Sequence, residues 1–479
     1  KHGTNIMETL QRLHNRGSIS TGYEIDNSLK VEADNSEYFR RTFSSAGTQT
    51  TGTVSFWIKR TSLGTFQREV DCSNTSGNSS GIFFESDQLC LDFGGAGRHS
   101  LRSQAKLRDT SAWYHCMAVW DTTQSTDTER TKLYINGSRV TSFSTATYPS
   151  QNATSQFFTP NDGSGSGNNC LFSRHNSASL GQHTPDGYHA EFHYIDGTAK
   201  TPSDFGEFDS ATGIWKPKEY TGSHGSNGFY LDFADAANLG DDESGNGNDF
   251  TEVNITSADQ ATDTPTNNFC TLNFNTGYIQ GSDATTFTQG ATTRQGGSSS
   301  YNGALGTIGI NPFVGSAKWY WEVELSANNS GDGIELGAGW LATSIIQSTT
   351  SDKATAGNNA GFQIWTSFNF DPPAEGTGAD GDVFGFLLQC DSSNPNLKIY
   401  KNDTLFTTRH TATSHDFEND FYFPVVFIYN TGMKAFCNFG NPFDATVSSG
   451  NTDPNGYGNF EFDTKSGYAL CTKNLEEYG

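Results

Sequence analysis

The chain is poor in apolar residues, in positive charge and in long hydrophobic runs. Only 33% of its 479 residues are hydrophobic. Such a low apolar content normally points to disorder. The aromatic fraction of 13%, with Phe 36, Tyr 18 and Trp 8, argues against that, because each ring supplies a large buried area. Few but bulky core residues between polar loops fit a β-rich fold. Lys and Arg total 29 against 53 Asp and Glu, a net charge of −24. This excludes the basic stripe that a nucleic-acid partner requires, and it disfavours an anionic membrane surface. Acidity favours solubility, and repulsion between exposed carboxylates weakens as salt rises, which fits a salty environment.

No stretch approaches the ~20 apolar residues that span a bilayer, so no membrane insertion is expected. The opening "KHGTNIMETLQRLHNRG" holds no apolar run long enough for a signal peptide. It starts without an initiator Met, which leaves room for residues missing or cleaved upstream. Ile6, Leu10 and Leu13 fall at helical spacing, so residues 1–22 are expected to form an amphipathic arm that packs on a partner. The 8 Cys include no Cys-x-x-Cys, which argues against a zinc site or redox pair. Cys90, Cys116, Cys390 and Cys437 sit in apolar stretches and read as buried free thiols. Sequons at Asn74, Asn136 and Asn402 are expected by chance in a Ser/Thr/Asn-rich chain and do not establish secretion.

From residue 23 onward, short alternating runs are split by Gly, Asn, Asp and Ser, as in an all-β sandwich. "TVSFWIKR" (53–60) sets Val54, Phe56 and Ile58 against polar neighbours. "WYHCMAVWD" (113–121), "TKLYING" (131–137) with its Asn-Gly turn, "YHAEFHYIDG" (188–197), "GFYLDF" (228–233) and "FCTLNF" (269–274) follow. "TPSDFGEF" (201–208) predicts a single helical turn capped by Ser203. A second series runs through "KWYWEVELS" (318–326), "GIELGAGW" (333–340), "AGFQIWTSF" (360–368), "GDVFGFLLQCD" (381–391), "LKIYKNDTLF" (397–406), "YFPVVFIYN" (422–430) and "KAFCNFG" (434–440). The polar stretch "TSADQATDTPTNN" (256–268) is the best boundary.

On these phrases, residues 23–255 resemble the concanavalin-A-like, laminin-G-like jelly rolls, through "NSLKVEADNSEYFRR", "TVSFWIKR", "WYHCMAVWD", "TKLYING" and "AEFHYIDGTAKTPSDFGE". Residues 271–447 resemble a SPRY domain, through "WYWEVEL", "GIELGAGW", "GDVFGFLLQCDSSNPNLKIYKNDTLF" and "YFPVVFIYNTGMKAFCNFG". The resemblance implies two tandem antiparallel β-sandwiches after the arm. Residues 256–270 are the expected linker and 448–479 the expected tail. The tandem, with "GIWKPKEYTGSHGSNGFYLDFAD" (213–235) and "YALCTKNLEEYG" (468–479), is similar to virion proteins of marine bacteriophages, especially fibres and appendages. That similarity implies a homo-oligomer, with a trimer favoured. The arm would dock on other virion proteins, and loops would face a host surface glycan.

Catalysis has little support in the sequence. Glycosidases of retaining and inverting type place two carboxyls about 5–5.5 Å and about 6.5–9.5 Å apart. Glu322 and Glu324, at i and i+2 on one strand, would stand ~6.5–7 Å apart. The β-glucanases of this fold carry Glu-x-Asp-x-Glu or a close variant, whereas Ser326 occupies the third position here. The pair therefore reads as a solvated strand face. Glu191 and Asp196 would point to opposite faces of a regular strand. His189 and His193 would stand ~13 Å apart, too far to share a metal. His115, between core aromatics, reads as locally hydrogen-bonded. No phosphate-binding Gly-rich loop with Lys occurs. The chain is thus expected to be no enzyme and to require no cofactor.

Binding fits better. Trp365, Phe368 and Phe370 in "IWTSFNFDPP", ahead of Pro372 and Pro373, are candidate sugar contacts, with Trp365 alternatively a core residue. Tyr220 and His224 in "EYTGSHG" are further candidates. "DDESGNGNDF" (241–250) fails as an EF-hand, since the twelfth position from Asp242 is Val253. Two readings stay open. One is a looser Ca²⁺ site using Asp241, Asp242, Asn246, Asn248 or Asp249. The other is a tight turn with Gly245 and Gly247 at positive φ. In laminin-G-like jelly rolls a phrase of this kind opens the domain. Here, with "FYLDF" (229–233), it follows the closing strand, so the chain looks permuted and the first domain is expected to end near residue 255. The function these readings imply is a structural phage virion protein, a fibre or appendage subunit recognising a host glycan. The alternatives are a purely structural capsid or tail decoration protein and a glycan depolymerase.

Overall fold

Alternation of apolar and polar residues decides the strands, and in the computed structural model most of them are covered on both faces. The structure describes residues 22–73, 79–94, 99–160, 169–173, 182–210, 212–273, 286–296, 302–326, 336–343, 361–365, 379–410, 419–428 and 433–479. The arm, residues 1–21, lies outside them. The fold is all-β, and its main sheets are antiparallel apart from one short parallel pair in the second unit. It divides into two compact units, the first ending at Asn267 and the second beginning at Asn268.

The first unit is a jelly-roll sandwich of two 8-stranded sheets. In one sheet Thr51–Arg60 lies between Trp113–Asp121 and Gly187–Asp196. In the other, Gln67–Ser73, Ser79–Glu85, Gln88–Phe93 and His99–Lys106 pair in succession. Val54, Phe56 and Ile58 point between the sheets, as their alternation requires, and Phe56 stacks on Phe192 at 5.1 Å. Each such side chain contributes roughly 1.5–3 kcal/mol on burial. Phe229–Leu231 pairs with Gly187–Asp196, and Thr251–Val253 pairs with Tyr38–Arg41. Both therefore complete the first sandwich from its C-terminal side.

The stretch expected as a linker is built into this unit. Gln260–Ala261 pairs with Ser28–Val31. The buried Asp263 carboxylate takes Lys59 Nζ at 2.6 Å and Trp113 Nε1 at 3.0 Å. Lys30 meets Asp259 at 2.9 Å. Polar composition suggested solvent here, but each carboxylate has a buried cation as partner. The helical turn is Pro202–Asp204, and Thr201, not Ser203, precedes it, with the Asp204 carboxylate accepting the Thr201 N–H at 2.9 Å.

The second unit stacks an 8-stranded sheet around Lys318–Ser326 against a 4-stranded sheet of Asn302–Leu305, Tyr422–Ile428, Leu336–Ala342 and Gly361–Trp365. Trp319, Trp321 and Val323 enter the core between them. The expected tail is integral. Tyr468–Ala469 pairs in parallel with Trp319 and Tyr320, and the helix Thr472–Tyr478 closes the chain. All eight cysteines are buried thiols outside any disulfide. Among the described residues, no helix is long and apolar enough to cross a membrane.

Candidate functional site

The outer face of the first unit's central sheet carries a cluster of polar and aromatic side chains, and a backbone irregularity shapes it. In "YHAEFHYIDG" a regular strand would put His189, Glu191 and His193 on one face. Instead Glu191 takes φ +51° and the pairing with Thr51–Arg60 slips between Ala190 and His193. This bulge re-aims the side chains. His189 turns inward, where its Nε2 meets Glu69 at 2.7 Å under the Phe172 ring. His193 turns outward. The bulge thus leaves His189 and His193 on opposite faces of the sheet.

On the outer face, Glu191 Oε2 accepts the Tyr23 hydroxyl and Oε1 the Tyr230 hydroxyl, each at 2.7 Å. Burial, then the Glu191 charge, raise the pKa of both tyrosines. His193 stacks on Tyr230 at 4.2 Å, and its Nδ1 lies 3.2 Å from His224 Nε2. Burial lowers His224 to about 4, with His193 adding to the effect. His115, on the neighbouring strand, is fully buried and pushed down to about 3. Its Nε2 is bonded to Ser55 at 2.8 Å, the local hydrogen bond its setting suggested. With Glu191 held by two hydroxyls and the imidazoles buried, this network packs the 197–230 crossover onto the sheet. It presents no free base to solvent.

Tyr220 belongs to this layer. Its ring stacks on Phe205 at 4.8 Å, Lys200 lies 5.2 Å from the ring centroid, and its hydroxyl donates to Ser223 at 2.8 Å. Little of it is left for a ligand. Trp365 ends the edge strand Gly361–Trp365, opposite Gly337. Its side chain, and Phe368 and Phe370, lie outside the described residues.

The 241–250 segment is brought together as a turn. Asp242 Oδ1 accepts the Tyr230 and Ser244 N–H groups at 2.9 Å, and Oδ2 accepts Ser244 Oγ at 2.9 Å and Asn248 N at 2.8 Å. Asn246 and Asn248 donate their amides to Gly228 O at 2.9 and 2.8 Å. Arg41 reaches Asn248 Oδ1 at 2.8 Å and also the Asp249 carbonyl. Asp249 Oδ1 accepts Asp242 N at 3.2 Å. Gly245 and Gly247 take φ +83° and +68°. Burial, then the Asp249 charge, raise the Asp241 pKa. Asp242 is thus saturated by donors, which fits a turn and leaves a cation poorly served. Among the described residues no group of three or more His, Cys, Asp or Glu is placed to hold a metal.

In the second unit the strand face predicted as solvated is covered. Glu322 is only 2% exposed. Its Oε1 accepts Tyr320 Oη and Phe462 N, and its Oε2 accepts Glu461 N, all at 3.0 Å, with Asn438 Nδ2 at 3.2 Å. Glu324 accepts the Thr446 hydroxyl at 3.1 Å. Burial pushes Glu322 up to about 7 against these donors. The pair that could have mimicked a glycosidase instead clamps the C-terminal segment.

Residues 33–173 match the sequence profile of the concanavalin A-like lectin/glucanases superfamily. Solved structures similar to this chain include mouse laminin alpha1 chain domains LG4-5 (9% identity, 87% of this chain and 90% of that one, TM-score 0.30). They also include the Ruminococcus gnavus IT-sialidase CBM40 bound to alpha2,3 sialyllactose (16% identity, 39% and 93%, TM-score 0.24). A third is the SPRY domain of human HERC1 (13% identity, 32% and 92%, TM-score 0.24). No curated protein matches the chain.

Proposed function

We propose that the chain is a non-catalytic, glycan-recognising structural protein of a phage virion, a fibre or appendage subunit. The observation that supports recognition most is the lectin/glucanase match over residues 33–173, laid on a complete two-sheet sandwich. The absence of turnover is supported by the state of the carboxylates: Glu322 takes four donors and Glu191 takes two tyrosine hydroxyls. The second unit is read as SPRY-like. The virion assignment rests on the similarity of the tandem and of residues 213–235 and 468–479 to marine phage fibres and appendages. It carries a homo-oligomer, favoured as a trimer, whose arm docks on other virion proteins. A glycan array probed with the full chain tests recognition: saturable binding to host-type polysaccharide is expected, and binding to no glycan overturns it. Light scattering on the same sample tests the trimer.

A further inference from the structure

The first and last strands of the first unit lie side by side, and a buried lysine meets a carboxylate where they join. Ser28–Val31 pairs with Gly187–Asp196 on one side and with Gln260–Ala261 on the other. Leu29 and Val31 enter the core, so Lys30 lies on the opposite face of its strand. There Lys30 Nζ stands 2.9 Å from Asp259 Oδ1, with the two side chains only 3% and 6% exposed. Tyr188, opposite Lys30 in the pairing, is fully buried. A second carboxyl, Glu37, is buried close enough to the pair to feel both charges. Burial raises Glu37 to about 7, with Lys30 lowering it and Asp259 raising it. Glu37 therefore exchanges a proton near neutral pH.

This setting suits amide formation. Holding two charges away from water is costly, and a neutral amide in their place removes that cost. The fold also supplies proximity: an oxygen at 2.9 Å brings its Cγ close to the ~3–3.5 Å of a near-attack geometry. Asp259 Oδ2 accepts Thr256 N at 2.8 Å and Thr256 Oγ1 at 3.2 Å. These two donors face the oxygen on which negative charge gathers when Cγ is attacked. Glu37 is itself fixed, because its Oε2 accepts Glu32 N at 2.7 Å and its Oε1 accepts Asn35 Nδ2 at 2.8 Å.

We propose that Lys30 and Asp259 condense to an intramolecular isopeptide bond, with Glu37 as the proton relay. The Lys30 ammonium passes one proton to Asp259 Oδ1, and the amine attacks Cγ. The Cγ–Nζ bond forms, and negative charge collects on Oδ2. Glu37 takes a second proton from Nζ and hands it to Oδ1, the Cγ–Oδ1 bond breaks, and Oδ1 leaves as water. An ammonium and a carboxylate thus become an amide and one water, with no oxidant or co-reactant. The bond ties the first strand of the sandwich to its last. It closes the chain between residues 30 and 259, which restricts the unfolded state as any long-loop cross-link does. It is independent of glycan recognition.

The test is the intact mass of the denatured full chain, followed by peptide mapping. The expected mass is that of the sequence less one water, with a branched peptide joining Lys30 to Asp259. Lys30→Met and Asp259→Ala should restore the full mass. Glu37→Gln keeps the shape of the side chain and cannot relay a proton. It should slow bond formation on the order of a hundredfold and leave freshly purified chain mostly unlinked. Circular dichroism checks that each variant folds, and the wild-type mass decides the matter even where one does not. Wild-type chain at the full sequence mass overturns the proposal. A water lost elsewhere, between Lys59 and Asp263 or in a succinimide, overturns the assignment to Lys30 and Asp259. Complete linkage in Glu37→Gln overturns the relay.

Discussion

His193 Nδ1 and His224 Nε2 stand 3.2 Å apart on the outer face of the first sandwich, although 31 residues separate them in the chain. Two imidazoles at that distance cannot both be charged without strong repulsion. Burial, with the His193 charge adding to it, lowers His224 to about 4 in the folded state, below the ordinary 6.5. The unfolded chain therefore binds the proton more readily. The stabilisation is full above pH 6.5 and is lost as pH falls from 6.5 towards 4. After allowance for solvent screening it is on the order of 1–2 kcal/mol, or roughly 3–6 °C in Tm. Thermal melts of the first unit between pH 7.5 and 4.5 should show this decline, with a shallower slope for His224→Gln. An unchanged slope would show that His224 does not titrate over this range.

Glu322 carries the opposite sign in the second unit. Its folded pKa is raised to about 7, so the folded state holds the proton more tightly. The associated stabilisation is full below pH 4.5 and lost as pH rises through 7. Glu322→Ala leaves the Glu461 and Phe462 N–H groups without their acceptor and should cost about 2–4 kcal/mol. Urea unfolding gives the magnitude. Proteolysis should cut first in residues 446–463, which the carboxylates of Glu322 and Glu324 hold.

Much of this was legible in the sequence, and the failures share a cause. Alternation placed Val54, Phe56 and Ile58, and Trp319, Trp321 and Val323, on the correct faces. The Asn-Gly and Gly-Asn-Gly phrases gave turns with the backbone they require. The bulge at Glu191 was not legible, because a single positive φ leaves the apolar pattern intact. The burial of Glu322 depends on donors 139 and 140 residues away, and that of Asp263 on a lysine 204 residues away. Local pattern specifies which way a side chain points, not what later folds over it.

The Lys59–Asp263 pair predicts where the first unit can be cut. Asp263→Ala strands a fully buried ammonium and should cost about 3–5 kcal/mol, while Lys59→Met with Asp263→Leu should recover most of it. A fragment ending at residue 255 should melt far below one ending at Asn267. Equal melting temperatures would return residues 256–267 to the role of a linker.

For the 241–250 turn, Ca²⁺ and chelator should leave Tm unchanged, because both Asp242 oxygens are already taken by donors. Asp242→Ala should still cost about 1–3 kcal/mol through its lost backbone partners. A rise in Tm of several degrees with millimolar Ca²⁺ would favour the cation reading.

The central claim is recognition of a glycan without its breakdown. The most direct measurement is a titration of an array-positive polysaccharide with the full chain, followed by size analysis of the recovered polymer. Saturable binding with polymer length unchanged is the predicted result. Absence of binding, or shortening of the polymer, would contradict it.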